Sequence, residues 1–236
     1  MPMSTYKKNE NENLSFINVY DKGNQKLKLA YAAVVILFLV SILFPATNDY
    51  IPLIQEGNKL KGIDNLYDYI FPLIAMFIIS YVFFNDYQDE TYEIFTFYSN
   101  RTFNFVLLKR WLTYIIPLSL GSFFTGMFYF RNVSFLDLDS LILSLRFIPN
   151  ILFLSALFIC ITVYAKNSFA GLFVVLIYFL VDFLSDARIF KIFSLGSNSN
   201  NFFYSYSPEY YILNRLILLI LSLIFLFLAC KRSVKL

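Results

Sequence analysis

Residues 151–165 read ILFLSALFICITVYA, Lys166-Asn167-Ser168 follow, and residues 169–183 read FAGLFVVLIYFLVDF. Each apolar run approaches the length that crosses a bilayer core of ~30 Å as a helix rising ~1.5 Å per residue. Hydrocarbon offers the backbone no hydrogen-bond partner, so the pair predicts two helices joined by a very tight polar turn. Four further runs repeat the pattern: 29–44, closed by Pro45; 69–84; 111–130; and a last helix that runs to Cys230. None carries a charge near its centre. The expected fold class is an all-α integral membrane protein with six transmembrane helices.

Composition agrees. Apolar residues make up 58% of the chain, with 29 Phe and 18 Tyr, and only 15% is charged, against about a quarter in soluble domains. One membrane domain over 29–230 is expected, between a cytoplasmic segment 1–28 and a short cytoplasmic tail 231–236. The excess of Phe, Ile, Leu, Tyr, Asn and Lys over Gly, Pro and Ala resembles the codon usage of an AT-rich bacterial genome. The chain has no histidine, which removes Ser-His hydrolysis and His-based zinc or haem ligation. Cys160 and Cys230 lie in apolar runs and read as small hydrophobes, with no disulfide or metal expected.

Between the spans the chain is punctuated. Pro72 falls in the first turn of the second span, where its missing N–H costs nothing. Within the third span, Gly121 and Thr125, and Ser122 and Gly126, are each four apart, a spacing that lets helices approach closely. Over 131–146, Leu138, Leu141, Ile142 and Leu145 share one helical face and Asp139, Ser140 and Ser144 the other, which predicts a helix lying on the membrane surface. A second short amphipathic helix is expected over 187–193. Ser207-Pro208-Glu209 supplies an N-cap, a first-turn proline and a first-turn acid for the last helix.

With the N-terminus inside, the inner segments hold twelve Lys and Arg and the outer ones seven, so both termini are expected in the cytoplasm. The basic residues cluster beside span ends, so topology explains them better than nucleic-acid binding does. None of the seven glycines is followed by Lys, so the chain has no Walker phosphate loop. No paired carboxylates sit mid-span. Asp182 reads as the one acid within or beside a span, near the outer end of the fifth. It is either an interfacial residue or the partner of Arg215 in an outer tether between the fifth and sixth helices.

The inner loop 85–110 carries the strongest functional signal. Asp86, Asp89, Glu90 and Glu93 gather where a short helix would begin, complementing its dipole, and Tyr92, Phe95 and Tyr98 recur every three residues. Such a piece suits docking into a groove of a cytoplasmic partner. The alternative is a surface helix on lipid headgroups, although four acids would then face an anionic leaflet. The run FFNDYQDETYEIFTFYSNRTFNFVLLKRWLTYI, residues 83–115, resembles the first cytoplasmic loop of the type-2 ABC exporter permeases. Asp86 or Asp89 stands for that family's acid, Thr91 for its coupling-helix Thr, Asn100-Arg101 for its Ser-Arg and Lys109 for its lysine, while Glu90 replaces a Gly. Six spans, cytoplasmic termini and an extra outer segment before the last span are also similar.

The resemblance implies a coupling helix between spans two and three and a separate cytoplasmic ATPase that carries ATP and Mg, with no cofactor on this chain. It also implies a second permease subunit, as homo- or heterodimer. Asp89 and Glu90 would meet basic residues of the ATPase, and Phe95 and Tyr98 would fill its groove. An amphipathic or antimicrobial peptide is the cargo expected by family association. Two other classes stand beside this reading: a membrane immunity or binding protein that acts without ATP, and a lipid-directed enzyme, which the lack of histidine and of clustered acids disfavours.

Overall fold

A computed structural model of the chain describes residues 25–46, 66–88, 103–133, 136–145, 147–185, 188–196 and 208–233. The described residues form helices and turns with no strand. The helices are α1 (Gln25–Leu43), α2 (Phe71–Gln88), α3 (Phe103–Tyr129), α4 (Leu138–Leu145), α5 (Ile148–Ala165), α6 (Ser168–Leu184) and α7 (Pro208–Ser233). A π-helical turn, Leu66–Ile70, leads into α2, and a 3₁₀ turn, Lys191–Phe193, follows α6.

Among the described residues, five helical stretches are long and apolar enough to cross a membrane: Lys26–Leu43, Leu66–Phe84, Val106–Tyr129, Ile148–Ala165 and Ile212–Ser233. This is the makeup of a multi-pass membrane protein. The fifth expected span, α6, is an equally apolar helix of 17 residues, about 25 Å long and so slightly shorter than the hydrocarbon core.

Local chemistry explains the helix ends. Asn167 caps α6 with its side-chain oxygen, accepting from the Phe169 N–H at 2.8 Å. Lys166 closes α5 in the left-handed region (φ 50°). The three-residue polar turn therefore does what its sequence predicts. Pro149 lies in the first turn of α5, so that helix starts at Ile148, three residues before the expected boundary. At the other end of the molecule, Arg131 reaches the last-turn carbonyls of α1, donating to Ser41 O at 3.1 Å and Ile42 O at 2.8 Å.

The helices run between two ends, named here by the segment 89–102 that leaves one of them. Contacts across the molecule fix their directions. Arg110 of α3, Lys26 of α1 and Ser168 of α6 all meet the last turns of α2 at this loop end. Asn150 of α5 and Arg215 of α7 meet the residues before α2 at the far end. The core is aromatic and aliphatic: Tyr67 stacks on Phe147 with centroids 4.4 Å apart, and its hydroxyl meets Ser41 Oγ at 2.5 Å. Trp111 Nε1 donates to Ser155 Oγ of α5 at 3.1 Å.

Two expectations change. The third helix begins eight residues before the expected span, at Phe103, which turns Arg110 from a flanking charge into an intrahelical residue. The short helix expected over 187–193 contracts to the 3₁₀ turn Lys191–Phe193. The amphipathic stretch over 131–146 forms a helix as α4, with Ile142 and Leu145 exposed and Ser144 buried against α3. The exposure of Ile142 and Leu145 suits a helix at a lipid interface.

The small-residue spacing of α3 serves two contacts. A Cβ on Gly121 would overlap the Val34 side chain of α1, and one on Gly126 would lie 3.2 Å from Ser144 Cβ of α4. Gly171 of α6 is tighter, because a Cβ there would lie 2.9 Å from the Phe158 carbonyl oxygen of α5, which cannot rotate away. Helix propensity alone favours Gly171→Ala by about 1 kcal/mol. The backbone clash reverses the sign, and a net loss of about 2 kcal/mol is expected. It should appear as a lower midpoint when the detergent-purified protein is heated and its monodisperse fraction is followed. An unchanged or raised midpoint would show that α5 and α6 can separate freely.

Candidate functional site

The last turns of α2 form a convergence point at the loop end. Arg110 donates through Nη1 to Asp86 Oδ2 at 2.6 Å and through Nη2 to Val82 O at 2.9 Å. Its guanidinium also lies 4.9 Å from the centroid of the Phe83 ring. Lys26 reaches the same Val82 carbonyl at 3.4 Å and lies over the Tyr81 ring. Ser168 Oγ lies 3.4 Å from Phe83 O and 3.2 Å from Phe84 O. Residues of α1, α3 and α6 thus grip three successive carbonyls of α2.

Asp86 and Arg110 are buried, at 0% and 2% exposure. Burying an ion pair costs several kcal/mol per charge and is sustained only by good geometry and extra hydrogen bonds. Here the Val82 carbonyl supplies one extra bond. Asp86, expected to face a cytoplasmic partner, instead binds within the molecule. Desolvation explains the choice: an acid at the end of an apolar helix takes the nearest guanidinium. Lys109 is half-buried on α3. Asp89, Glu90, Thr91, Glu93, Phe95, Tyr98 and Arg101 lie outside the described residues. Arg110, Lys26 and Ser168 escaped the sequence reading as members of the site. The usable signal was positional, since Asp86 lies in the last turn of α2 and Arg110 in the first half of α3, the next described helix.

The far end holds a second buried polar cluster. Asp182 accepts from Ser194 Oγ at 2.9 Å and from the Leu195 N–H at 2.8 Å. Arg215 donates to the Leu195 carbonyl at 2.9 Å and to Asn150 Oδ1, and lies 3.7 Å from Asp68 Oδ1. Asn150 Nδ2 donates to Asp68 O and Leu195 O, each at 2.9 Å. Asn214 Nδ2 donates to Ile192 O and to Ser194 O, and the Tyr178 hydroxyl donates to Phe193 O. Residues 192–195 leave the helical ladder, and side chains of α5, α6 and α7 take over their backbone hydrogen bonds.

Asp182, read from sequence as either an interfacial acid or a tether to Arg215, is fully buried, and the two residues meet through the two sides of Leu195, one on its N–H and the other on its carbonyl. Asp68, read from sequence as a loop residue, is drawn into the same buried cluster, so Asp182 is not the only acid associated with the helices. Among the described residues, no three Cys, Asp or Glu side chains gather in a way that could hold a metal ion. The two clusters are suited to holding helices in register.

No family model matches the sequence, and no curated protein and no solved structure matches it.

Two outcomes follow from the geometry. Asp86→Ala should cost about 3 kcal/mol because it strands a buried guanidinium, whereas Asp86→Leu combined with Arg110→Met should restore most of the loss. Equilibrium unfolding in detergent measures both, and equal losses in single and double variants would contradict a mutual pair. At the far end, exchanging charges in Asp182→Arg with Arg215→Asp should not rescue either single variant. Each side chain serves an opposite polarity of the Leu195 peptide, and swapping charges mismatches both. Recovery of wild-type stability would instead indicate direct pairing.

Proposed function

We propose that this chain is the membrane-spanning permease subunit of a bacterial ATP-driven ABC exporter, working as a dimer in the cell membrane. All six long apolar helices cross the bilayer in this reading, α6 included, and both termini are cytoplasmic. Residues 85–110 hold the coupling helix. A separate ATPase, with its own ATP and Mg, docks there through Asp89, Glu90, Thr91, Glu93, Phe95 and Tyr98, with Arg101 and Lys109 flanking the contact. The cargo class is an amphipathic peptide, suited to aromatic-rich helices.

One observation carries the reading beyond the sequence resemblance. The segment 89–102 leaves from a base where Asp86 and Arg110 lock α2 to α3, and where Lys26 and Ser168 add α1 and α6. A push on that segment would displace four helices together, as a coupling loop requires.

Purification from the native cell in mild detergent tests the proposal. A stoichiometric ATPase carrying a Walker sequence should accompany the chain. Asp89→Lys with Glu90→Lys should lower transport per ATP hydrolysed by more than about tenfold while leaving the helices folded. A chain that purifies alone and protects cells against a toxin peptide without ATP would replace this reading with that of a stand-alone immunity protein.

A further inference from the structure

α5 and α7 lie side by side and run in the same direction. Arg215 meets Asn150 near their starts, Phe225 packs on Phe153 farther along, and Arg232 lies over the Tyr164 ring at 5.9 Å near their ends. Their C-termini therefore finish together at the loop end. Lys166, Lys231 and Arg232 are all exposed there, and no described carboxylate pairs with them.

Helix dipoles account for only part of this charge. Each C-terminus carries roughly −0.5 of an elementary charge, and the start of α6 after Asn167 returns roughly +0.5. Against three cations, an excess of about two and a half positive charges is left among the described groups. The surface beside it is apolar. Ile220, Leu223, Ile224 and Phe227 are exposed on α7 at helical spacing, and Lys231 is the next residue of the same stripe. Tyr164, 51% exposed beneath the Arg232 guanidinium, provides an aromatic ring at the junction.

We infer that this corner is a binding site for an anionic phospholipid. Its phosphate is held by Lys166, Lys231 and Arg232, and its acyl chains lie along Ile220, Leu223, Ile224 and Phe227. A soluble phosphate would use the cations but not the apolar stripe that leads up to them, so the lipid is the occupant the surface fits. Lys166 ends α5 and begins the turn into α6, so the headgroup bridges the α6–α5 hairpin to α7. The inference goes beyond the exporter reading and rests only on the chain lying in a bilayer.

The test titrates the full-length protein in neutral detergent with fluorescent phosphatidylglycerol and with phosphatidylcholine. Wild type should prefer phosphatidylglycerol by about a hundredfold, as three cations near a headgroup supply. The preference should fall to near parity in the Lys166→Gln, Lys231→Gln, Arg232→Gln triple variant. Arg232→Lys keeps the charge and loses the stacking, so it should retain most of the preference. Should the triple variant fail to elute as a folded species, Lys231→Gln alone decides, with about a fivefold weakening expected. Parity between the two lipids in wild type, an undiminished preference in the folded triple or single variant, or full displacement by inorganic phosphate would overturn the inference.

Discussion

A peptide group that leaves the helical ladder has to find another partner, and where it is buried water does not supply one. This constraint organises both ends of the molecule. At the far end the chain turns back through residues 192–195, and each carbonyl there receives a donor from Tyr178, Asn214, Asn150 or Arg215. The Leu195 N–H finds the Asp182 carboxylate. Polar side chains that look out of place in apolar helices are there to complete the backbone.

The loop end answers the same demand with stronger chemistry. Arg110 joins a carboxylate and a carbonyl of α2 with one planar fork, which a lysine could not reproduce. Lys26 and Ser168 extend the contact to α1 and α6. Buried ion pairs add little net stability compared with well-packed apolar residues, but they fix relative position closely. The proposed exporter reading, which rests on the resemblance of residues 83–115, sets its coupling loop directly beyond this contact.

Between the two ends, packing relies on small residues and aromatic rings. Gly121, Gly126 and Gly171 bring α1, α4 and α5 close to their neighbours, while Tyr67, Phe130 and Phe147 stack across the far half of the core. Without a hydrophobic driving force between helices in lipid, such close contact supplies the association energy. The exposed apolar faces of α1, α6 and α7 are then the surfaces presented to acyl chains, and the basic corner at the ends of α5 and α7 is where such a surface meets charge.

The local chemistry of the sequence decides the helices themselves. Apolar length, Pro45, Pro149 and Pro208, the Lys166-Asn167-Ser168 turn and the glycine spacing of α3 each act within one or two turns of chain, so a short window contains the whole physical cause. Partner choice among the buried polar groups is another matter. Asp86 and Arg110 are 24 residues apart, Asn150 and the Asp68 carbonyl 82 apart, and Arg215 and Asn150 65 apart. Which of them meet depends on the depth and azimuth at which separate helices bring them together. That is why Asp86 reads from sequence as a contact for another protein, and Asp182 as either an interfacial acid or a direct partner of Arg215. Only the packed structure turns the first inward and places Leu195 between the other two.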